Sequence, residues 1–132
     1  MDKQRLTLEY PLQARSANII WDMVATAAGL QKWMANEVTE TDDGALEFTW
    51  GESYDSRDTR VARVLEAVKP NYIRLHWDGD EDEVFWEMRL EKSDITGYYH
   101  LVVTDFAEPD EIEGLNVLWD SNMDLLHRCS GI

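Results

Sequence analysis

The stretch that decides the fold is residues 109–129, PDEIEGLNVLWDSNMDLLHRC. Its apolar residues recur every three or four positions, the spacing of one helix face; they are Ile112, Leu115, Trp119, Met123 and Leu126. At 1.5 Å per residue, such a helix is roughly 30 Å long and crosses a small domain. Pro109 suits the first helical position, and His127 and Arg128 suit the last turn. The stretch predicts one long amphipathic helix that buries its apolar stripe.

The sequence before this helix has the period-two alternation of β-strands. In the first run, Leu6, Leu8 and Tyr10 alternate with polar residues. Pro11 has no amide proton to donate, so we expect this strand at a sheet edge or with a bulge there. Further strands are predicted around Val38 and at residues 46–50, 57–68, 72–77, 84–90 and 98–106. The pattern does not decide which face of residues 57–68 points inward.

Two short helices are predicted between the first strand and the second. Ser16 is a suitable N-cap for the first helix, which Gly29 interrupts. Thr26 is a suitable cap for a second helical turn or two, whose apolar residues are Leu30, Trp33 and Met34.

Turn residues separate the later strands. Thr41-Asp42-Asp43-Gly44 and Lys69-Pro70-Asn71 favour tight turns, and Gly51-Glu52-Ser53 favours a loop. Residues 78–83, DGDEDE, form the most acidic run. Clustered carboxylates suit calcium, but this run lacks the spaced ligands of an EF-hand, so a solvated hairpin tip is favoured.

The order of elements predicts the architecture. Short links between consecutive strands demand antiparallel neighbours, and a run of strands that ends in one helix is typical of α+β layers. We therefore predict a single α+β domain over residues 1–132. In it, a curved antiparallel sheet of about seven strands wraps the long C-terminal helix, and two short helices follow the first strand.

The composition excludes several classes of partner and location. Twelve basic and 27 acidic residues give a net charge of −15, which repels nucleic acid and anionic membranes. Solubility explains this charge most simply, and an acidic docking face for a basic protein is the alternative. No apolar run approaches the ~20 residues that span a bilayer, and no signal-peptide core precedes the first strand. We expect a cytoplasmic protein without membrane insertion.

Cys129 is the single cysteine, so an internal disulfide and a multi-cysteine zinc site are both excluded. Because it lies near the stripe of the terminal helix, we predict a small buried side chain rather than a reactive thiol.

Two segments resemble START-like proteins, whose fold is the helix-grip arrangement. Residues 16–34, SANIIWDMVATAAGLQKWM, resemble the segment that follows their first strand, most of all in the branch of activators of the large heat-shock protein ATPase. Residues 103–109, VTDFAEP, with Leu118-Trp119-Asp120, resemble the closing segment of a small bacterial START-like subfamily. One departure is Ala27-Ala28, where a proline is usual ahead of Gly29.

The resemblance implies a cavity between the curled sheet and the long helix. Family members use it for lipids, polyketides, hormones or client contacts, and some are cyclases. No single catalytic set defines the family, so no catalytic residue is carried over. We expect a non-catalytic module for a small hydrophobic molecule. The alternatives are a co-chaperone-like module that binds a protein partner and a cyclase-type enzyme; a monomer and a homodimer both stay open.

The candidate cavity residues are large apolar side chains on expected inward faces together with three polar guesses: Trp33, Trp50, Arg63, His76, Trp86, Met88, Tyr98, Trp119 and Met123. Met adapts to irregular spaces, and pockets are mostly apolar with few polar groups. Arg63 would bind a ligand carboxylate or else form surface ion pairs. His76 beside Asp78 would be an oriented base or else an exposed strand histidine.

No cofactor or metal is predicted. The motifs of serine hydrolases, nucleotide-binding loops and zinc proteases are absent from the sequence. A metal site needs several histidines or carboxylates that converge. His76, His100 and His127 lie on separate predicted elements, and the sequence does not show that they converge.

Overall fold

The computed structural model describes residues 3–51 and 57–132. The predicted Gly51-Glu52-Ser53 loop therefore lies mostly outside the described residues, as do Met1 and Asp2. The elements in chain order are β1 (Gln4–Pro11), α1 (Ala17–Val24), α2 (Ala27–Leu30), β2 (Glu37–Glu40), β3 (Leu46–Trp50), β4 (Asp58–Val68), β5 (Tyr72–Trp77), β6 (Trp86–Lys92), β7 (Tyr99–Ala107) and α3 (Ile112–Ser130). The predicted α+β architecture is confirmed.

The strands form one seven-stranded sheet in the order β1-β7-β6-β5-β4-β3-β2. Every neighbouring pair is antiparallel. β1 lies at one edge, as predicted, and Pro11 ends it opposite His100 of β7. Because β1 and β2 lie at opposite edges, α1 and α2 carry the chain from one edge of the sheet to the other.

Small polar side chains start the two short helices. The Ser16 hydroxyl lies 3.5 Å from the Ile19 amide, and the Thr26 hydroxyl accepts a hydrogen bond of 3.0 Å from the Gly29 amide. A Cβ at Gly29 would lie 1.9 Å from the carbonyl oxygen of Asp22. Gly29 is therefore required because α1 and α2 approach closely at this point. The second helix ends at Leu30, and Trp33 and Met34 lie in the turn that follows.

Alternation along the strands separates the core face of the sheet from its outer face. Ile73 and Leu75 of β5 are buried, and Trp77 shares their face. Ala62 of β4 is opposite Trp77 and fully buried, whereas Arg63 is exposed. The inward face of β4, which the sequence left open, is therefore the face of Ala62. The β4–β5 register shifts between Val64 and Glu66, which marks a bulge.

The terminal helix covers the core face of the sheet. A 3₁₀ turn at Pro109–Glu111 precedes it, and Gly131 ends it in a left-handed conformation (φ 74°). Trp119, Met123 and Leu126 are buried, as predicted from the stripe. Each fully buried large side chain contributes about 1.5–3 kcal/mol to folding. Among the helices of the described residues, none is long and apolar enough to cross a membrane.

The predicted burial of Cys129 is wrong, because its side chain is exposed. The buried positions of α3 are 119, 123 and 126, and a helix turns about 100° per residue. On this spacing the stripe continues at Ser130, and Cys129 lies to one side of it.

Candidate functional site

A cavity of about 490 Å³ lies between the N-terminal half of α3 and the sheet. We call it the tryptophan cavity, because its walls include the indole rings of Trp50, Trp77, Trp86 and Trp119. Trp50, Trp77 and Trp86 come from β3, β5 and β6, and Trp119 comes from α3. The remaining lining residues are Lys3, Met34, Asp58, Arg60, Asp80, Asp105, Phe106, Glu111, Leu115, Leu118 and Asn122.

The four indole rings pack against one another. Trp77 and Trp86 are stacked with ring centroids 5.1 Å apart, and Trp50 and Trp77 are 6.0 Å apart. Trp86 and Trp119 are 6.2 Å apart, so the aromatic wall continues from the sheet to the helix. Phe48 packs edge-on against Trp77 and Trp86 from the core side. Such contacts hold large rings at fixed angles and leave them little freedom to fill the space between them.

Hydrogen bonds hold two of these indoles in place. The Nε1 of Trp50 donates to the carbonyl oxygen of Met34 at 2.9 Å. The Nε1 of Trp119 donates to Oδ2 of Asp105 at 2.8 Å. The Nε1 of Trp86 is buried and has no acceptor among the described residues. A buried donor without a partner destabilises the fold by about 1–3 kcal/mol.

Asp105 is the partly buried carboxylate in the wall of the cavity. It accepts hydrogen bonds from Trp119 and, through Oδ1, from the Phe106 amide at 2.8 Å. Burial raises the pKa of Asp105 and the nearby charge of Asp80 raises it further, although both hydrogen bonds and the charge of Lys3 act in the opposite direction. In residues 3–51 and 57–132, no basic side chain forms an ion pair with Asp105.

Charged side chains surround the mouth of the cavity. Lys3 and Arg60 both approach Oδ1 of Asp80, at 3.7 and 3.9 Å. The guanidinium carbon of Arg60 also lies 4.5 Å from the centroid of the Trp77 ring. The mouth therefore already holds a cation on an indole face.

The predicted site residues divide into three groups. Trp50, Trp86 and Trp119 line the tryptophan cavity. Met88 and Met123 are buried in the packed core, at 0% and 2% exposure, and do not line it. Trp33 is also buried, donates from Nε1 to the Met23 carbonyl at 2.8 Å, and borders a neighbouring groove with Leu118 and Leu125. That these residues contact a ligand stays a prediction.

The three polar guesses do not lie in the tryptophan cavity. Arg63 is on the outer face of β4 and pairs with Asp43 and, at 3.1 Å, with Asp78. His76 alternates with Trp77 and faces outward, and its Nδ1 lies 2.7 Å from the Val84 carbonyl. Asp78 therefore partners Arg63, and the alternative in which Asp78 orients His76 as a base is not formed.

Tyr98 lies in the turn before β7, under the guanidinium of Arg15 at 4.5 Å. It lines a different groove of about 860 Å³ near the C-terminal end of α3, as do His100 and His127. His76 is elsewhere on the sheet, so the three histidines do not converge. In the described part of the chain, the acidic group able to hold a metal is instead Glu108, Asp110 and Glu111, which no prediction included.

Twelve lining residues were not among the candidates, and three of them show what the sequence could reveal. Trp77 shares one strand face with Ile73 and Leu75 by alternation but was not included among the candidates. Asp105 left a recognisable signal, because it continues an inward-facing series of Leu101 and Val103, and a polar residue at a core position is informative. Arg60 gave no such signal, because the inward face of its strand was undecided.

Comparison with known proteins agrees with this architecture. The family model of the START-like superfamily domain matches residues 1–132. The solution structure of BfR322 from Bacteroides fragilis is 37% identical, with a TM-score of 0.65 over 98% of this chain and 92% of that chain. No curated protein matches the chain.

More distant structures share the fold alone. CV1439 from Chromobacterium violaceum is 20% identical, with a TM-score of 0.73 over 96% of this chain and 97% of that chain. The Aha1 dimer from Colwellia psychrerythraea is 14% identical, with a TM-score of 0.71 over 96% of each chain. From the match of the family model over residues 1–132, the chain belongs to the START-like superfamily.

Proposed function

We propose that this protein is a non-catalytic binding module that holds a small, mostly apolar molecule in the tryptophan cavity. The observation that carries the proposal is a cavity of about 490 Å³ walled by four indole rings. Ligand pockets typically measure about 300–1,000 Å³ and are lined by aromatic side chains with a few polar groups. Asp105 is the polar group in the wall, and the other polar lining residues are Lys3, Asp58, Arg60, Asp80, Glu111 and Asn122.

A cavity-filling variant tests this proposal. Thermal unfolding would be followed with neutral fused-ring aromatics, long-chain alcohols and neutral lipids, because a ligand that binds only the folded state raises the melting temperature. Leu115→Trp places a large side chain in the wall of the cavity and is expected to weaken binding of any hit at least about tenfold. Val117→Trp is the matched control, since Val117 is 62% exposed on the same helix.

Two results would contradict the proposal. One is a panel in which no compound raises the melting temperature of the wild-type protein. The other is a hit that Leu115→Trp and Val117→Trp bind equally well, which would place the ligand outside the tryptophan cavity. The melting temperature of each variant without ligand shows whether its fold is intact.

A second candidate is a co-chaperone-like module that binds a basic protein. It is favoured by exposed apolar residues on α3, where Leu118 and Leu125 are 54% and 45% exposed, on a chain of net charge −15. Such a complex should weaken as ionic strength rises, whereas a neutral ligand in the cavity should not respond. Leu125→Ser would weaken the complex and leave cavity binding unchanged, since Leu125 does not line the cavity.

A cyclase-type enzyme remains the third candidate and has less support. His76 and Arg63, its candidate catalytic residues, lie on the outer face of the sheet. Asp105 is the cavity residue whose pKa is shifted, and turnover that Asp105→Asn leaves unchanged would remove it as a catalytic candidate. The proposal also includes a cytoplasmic location and a monomer or homodimer, which cell fractionation and light scattering would check.

A further inference from the structure

The charges around the tryptophan cavity are unequal. Four carboxylates line it, and two basic side chains accompany them. Both basic side chains, Lys3 and Arg60, approach Asp80 rather than Asp105. The site therefore carries an excess of negative charge when its carboxylates are ionised, on a chain of net charge −15. An anionic molecule would be repelled from this mouth, and a cationic one would be attracted to it.

The aromatic walls suit a cation as well as an apolar body. Indole faces attract cations through the ring quadrupole, and aromatic cages recognise ammonium groups in this way. The structure contains one example, because the Arg60 guanidinium lies 4.5 Å from the centroid of Trp77. Trp50 belongs to the same wall, is half-buried and has no paired cation among the described residues, whereas Trp86 and Trp119 are almost completely buried behind it, at 1% and 3% exposure.

Asp105 has the position of an anchor in this wall. Its two hydrogen bonds come from neutral donors, the Trp119 indole and the Phe106 amide. Neither donor supplies a positive charge, and no basic side chain in the described residues pairs with this carboxylate. A carboxylate that is withdrawn from water and lacks a counter-charge gains more from a cation than an exposed one does.

We propose that the molecule held in the tryptophan cavity carries a cationic nitrogen, which lies against the indole wall and pairs with Asp105. This inference rests on the function proposed above and adds the chemical class of the ligand. The apolar body of the ligand packs on the tryptophans, and its ammonium group supplies the direct ion-pair partner that Asp105 lacks.

Three probes with one ring system and different charge test the inference by isothermal titration calorimetry. They are 2-naphthylmethylammonium, 2-naphthylmethanol and 2-naphthoate, which are cationic, neutral and anionic at neutral pH. We expect the ammonium to bind about tenfold more tightly than the alcohol, and the carboxylate to bind more weakly than either. Titrations at low and high salt separate a buried pair from long-range attraction, because salt screens buried pairs much less.

Asp105→Asn removes the charge and keeps an oxygen that can accept from Trp119. We expect it to abolish the preference for the ammonium and to leave binding of the alcohol unchanged. Asp124→Asn, at an exposed position of α3, is the control for total charge. If Asp105→Asn fails to fold, Asp80→Asn tests the same site, because it leaves Lys3 and Arg60 without their partner and should also weaken ammonium binding.

The outcomes separate the two proposals. If the alcohol binds and the ammonium binds no more tightly, the cationic ligand is excluded and the apolar binding function stands. If the preference for ammonium disappears at high salt, or survives in Asp105→Asn and falls in Asp124→Asn, the attraction comes from the acidic surface and the inference fails. If none of the three probes binds, the binding function itself loses its support.

Discussion

The two halves of α3 cover the sheet in different ways. In the C-terminal half, Met123 and Leu126 are buried in the main core, at 2% and 0% exposure, together with aliphatic side chains of the sheet such as Met88 and Leu101. In the N-terminal half, Trp119 packs on Trp86 with ring centroids 6.2 Å apart, and the half-buried Leu115 lines a cavity of about 490 Å³ beside them. We call the part of this interface around Met123 and Leu126 the packed half and the part beside Leu115 the open half; the groove of about 860 Å³ lies beyond the packed half, at the end of α3.

The packed half and the open half differ because their side chains differ in flexibility. Flexible aliphatic side chains adjust their rotamers until they reach the density of a protein interior. Indole rings that stack on one another and donate to fixed acceptors, such as Trp50 to the Met34 carbonyl, cannot move into the space beside them. Asp105 adds a polar group at an inward position. The open half is thus held open by the same aromatic residues that a simple burial argument would assign to the core.

The largest expected change in the free energy of unfolding comes from a substitution in the packed half. Leu126→Ala should lower the free energy of unfolding by about 2–5 kcal/mol, because it leaves a cavity where the core cannot relax fully. Leu125→Ala, at the preceding position and 45% exposed, should change the free energy of unfolding by less than about 1 kcal/mol. Urea denaturation of both variants measures the difference. Equal losses would mean that the C-terminal half is not packed as described.

Two glycine-to-alanine substitutions are expected to change the free energy of unfolding in opposite directions. Gly29→Ala should lower the free energy of unfolding by about 1–3 kcal/mol, because its Cβ would lie 1.9 Å from the Asp22 carbonyl oxygen. Gly114→Ala, on α3 near the cavity, meets no atom within 4 Å and should raise stability by about 0.5–1 kcal/mol. The same denaturation experiment checks both, and a stabilising Gly29→Ala would contradict the close approach of α1 and α2.

These predictions concern features that the sequence reveals to different degrees. The stripe of α3 and the alternation of the strands are local patterns, so the helix and the strands were predictable. The antiparallel pairing of consecutive strands was predictable from their short links. Trp50, Trp86 and Trp119 were predictable as inward aromatics for the same reason. Whether they would pack solidly or leave a cavity depends on contacts between β3, β5, β6 and α3, which no local pattern contains.

The positions of the polar candidates outside the tryptophan cavity also have a physical cause. In residues 57–68, charged and apolar residues do not separate cleanly onto two faces, and the bulge between Val64 and Glu66 shifts the alternation, so Arg63 was not assigned to a face. His76 could have been left out of the cavity candidates. It lies between Leu75 and Trp77, which share one face of their strand. Neighbours on a strand point to opposite faces, so His76 and Trp77 cannot both face the cavity.

A smaller change in the free energy of unfolding is expected where β1 is hydrogen-bonded to α3. The Tyr10 hydroxyl donates to Oδ1 of Asp120 at 2.7 Å, which links β1 to the middle of the helix, between the two halves. Tyr10→Phe removes this bond and should lower the free energy of unfolding by about 0.5–1.5 kcal/mol. Urea denaturation measures the loss. Because Tyr10 does not line the tryptophan cavity, ligand binding should be unchanged, and weaker binding would mean that the two halves are coupled through this contact.

The smallest expected effect is a pH dependence in the open half. Burial raises the pKa of Asp105 in the folded protein above its value in the unfolded chain. Between these two pKa values, the folded protein keeps a proton that the unfolded chain has lost, so stability falls as pH rises through this window. The effect is small because the Trp119 and Phe106 donors offset part of the burial.

Asp105→Asn cannot titrate at this position and isolates the contribution. The free energy of unfolding of the wild-type protein, minus that of Asp105→Asn, should decrease as pH rises from about 4 towards 7, since the unfolded carboxyl titrates near 3.9. Urea denaturation at fixed ionic strength across this range measures the difference. A difference that rises with pH would mean that the ionised carboxylate is stabilised in the wall, as it would be if it had a counter-charge. In that case the Asp105 carboxylate would not be an unpaired anion, and the open half would not differ from the packed half in this respect.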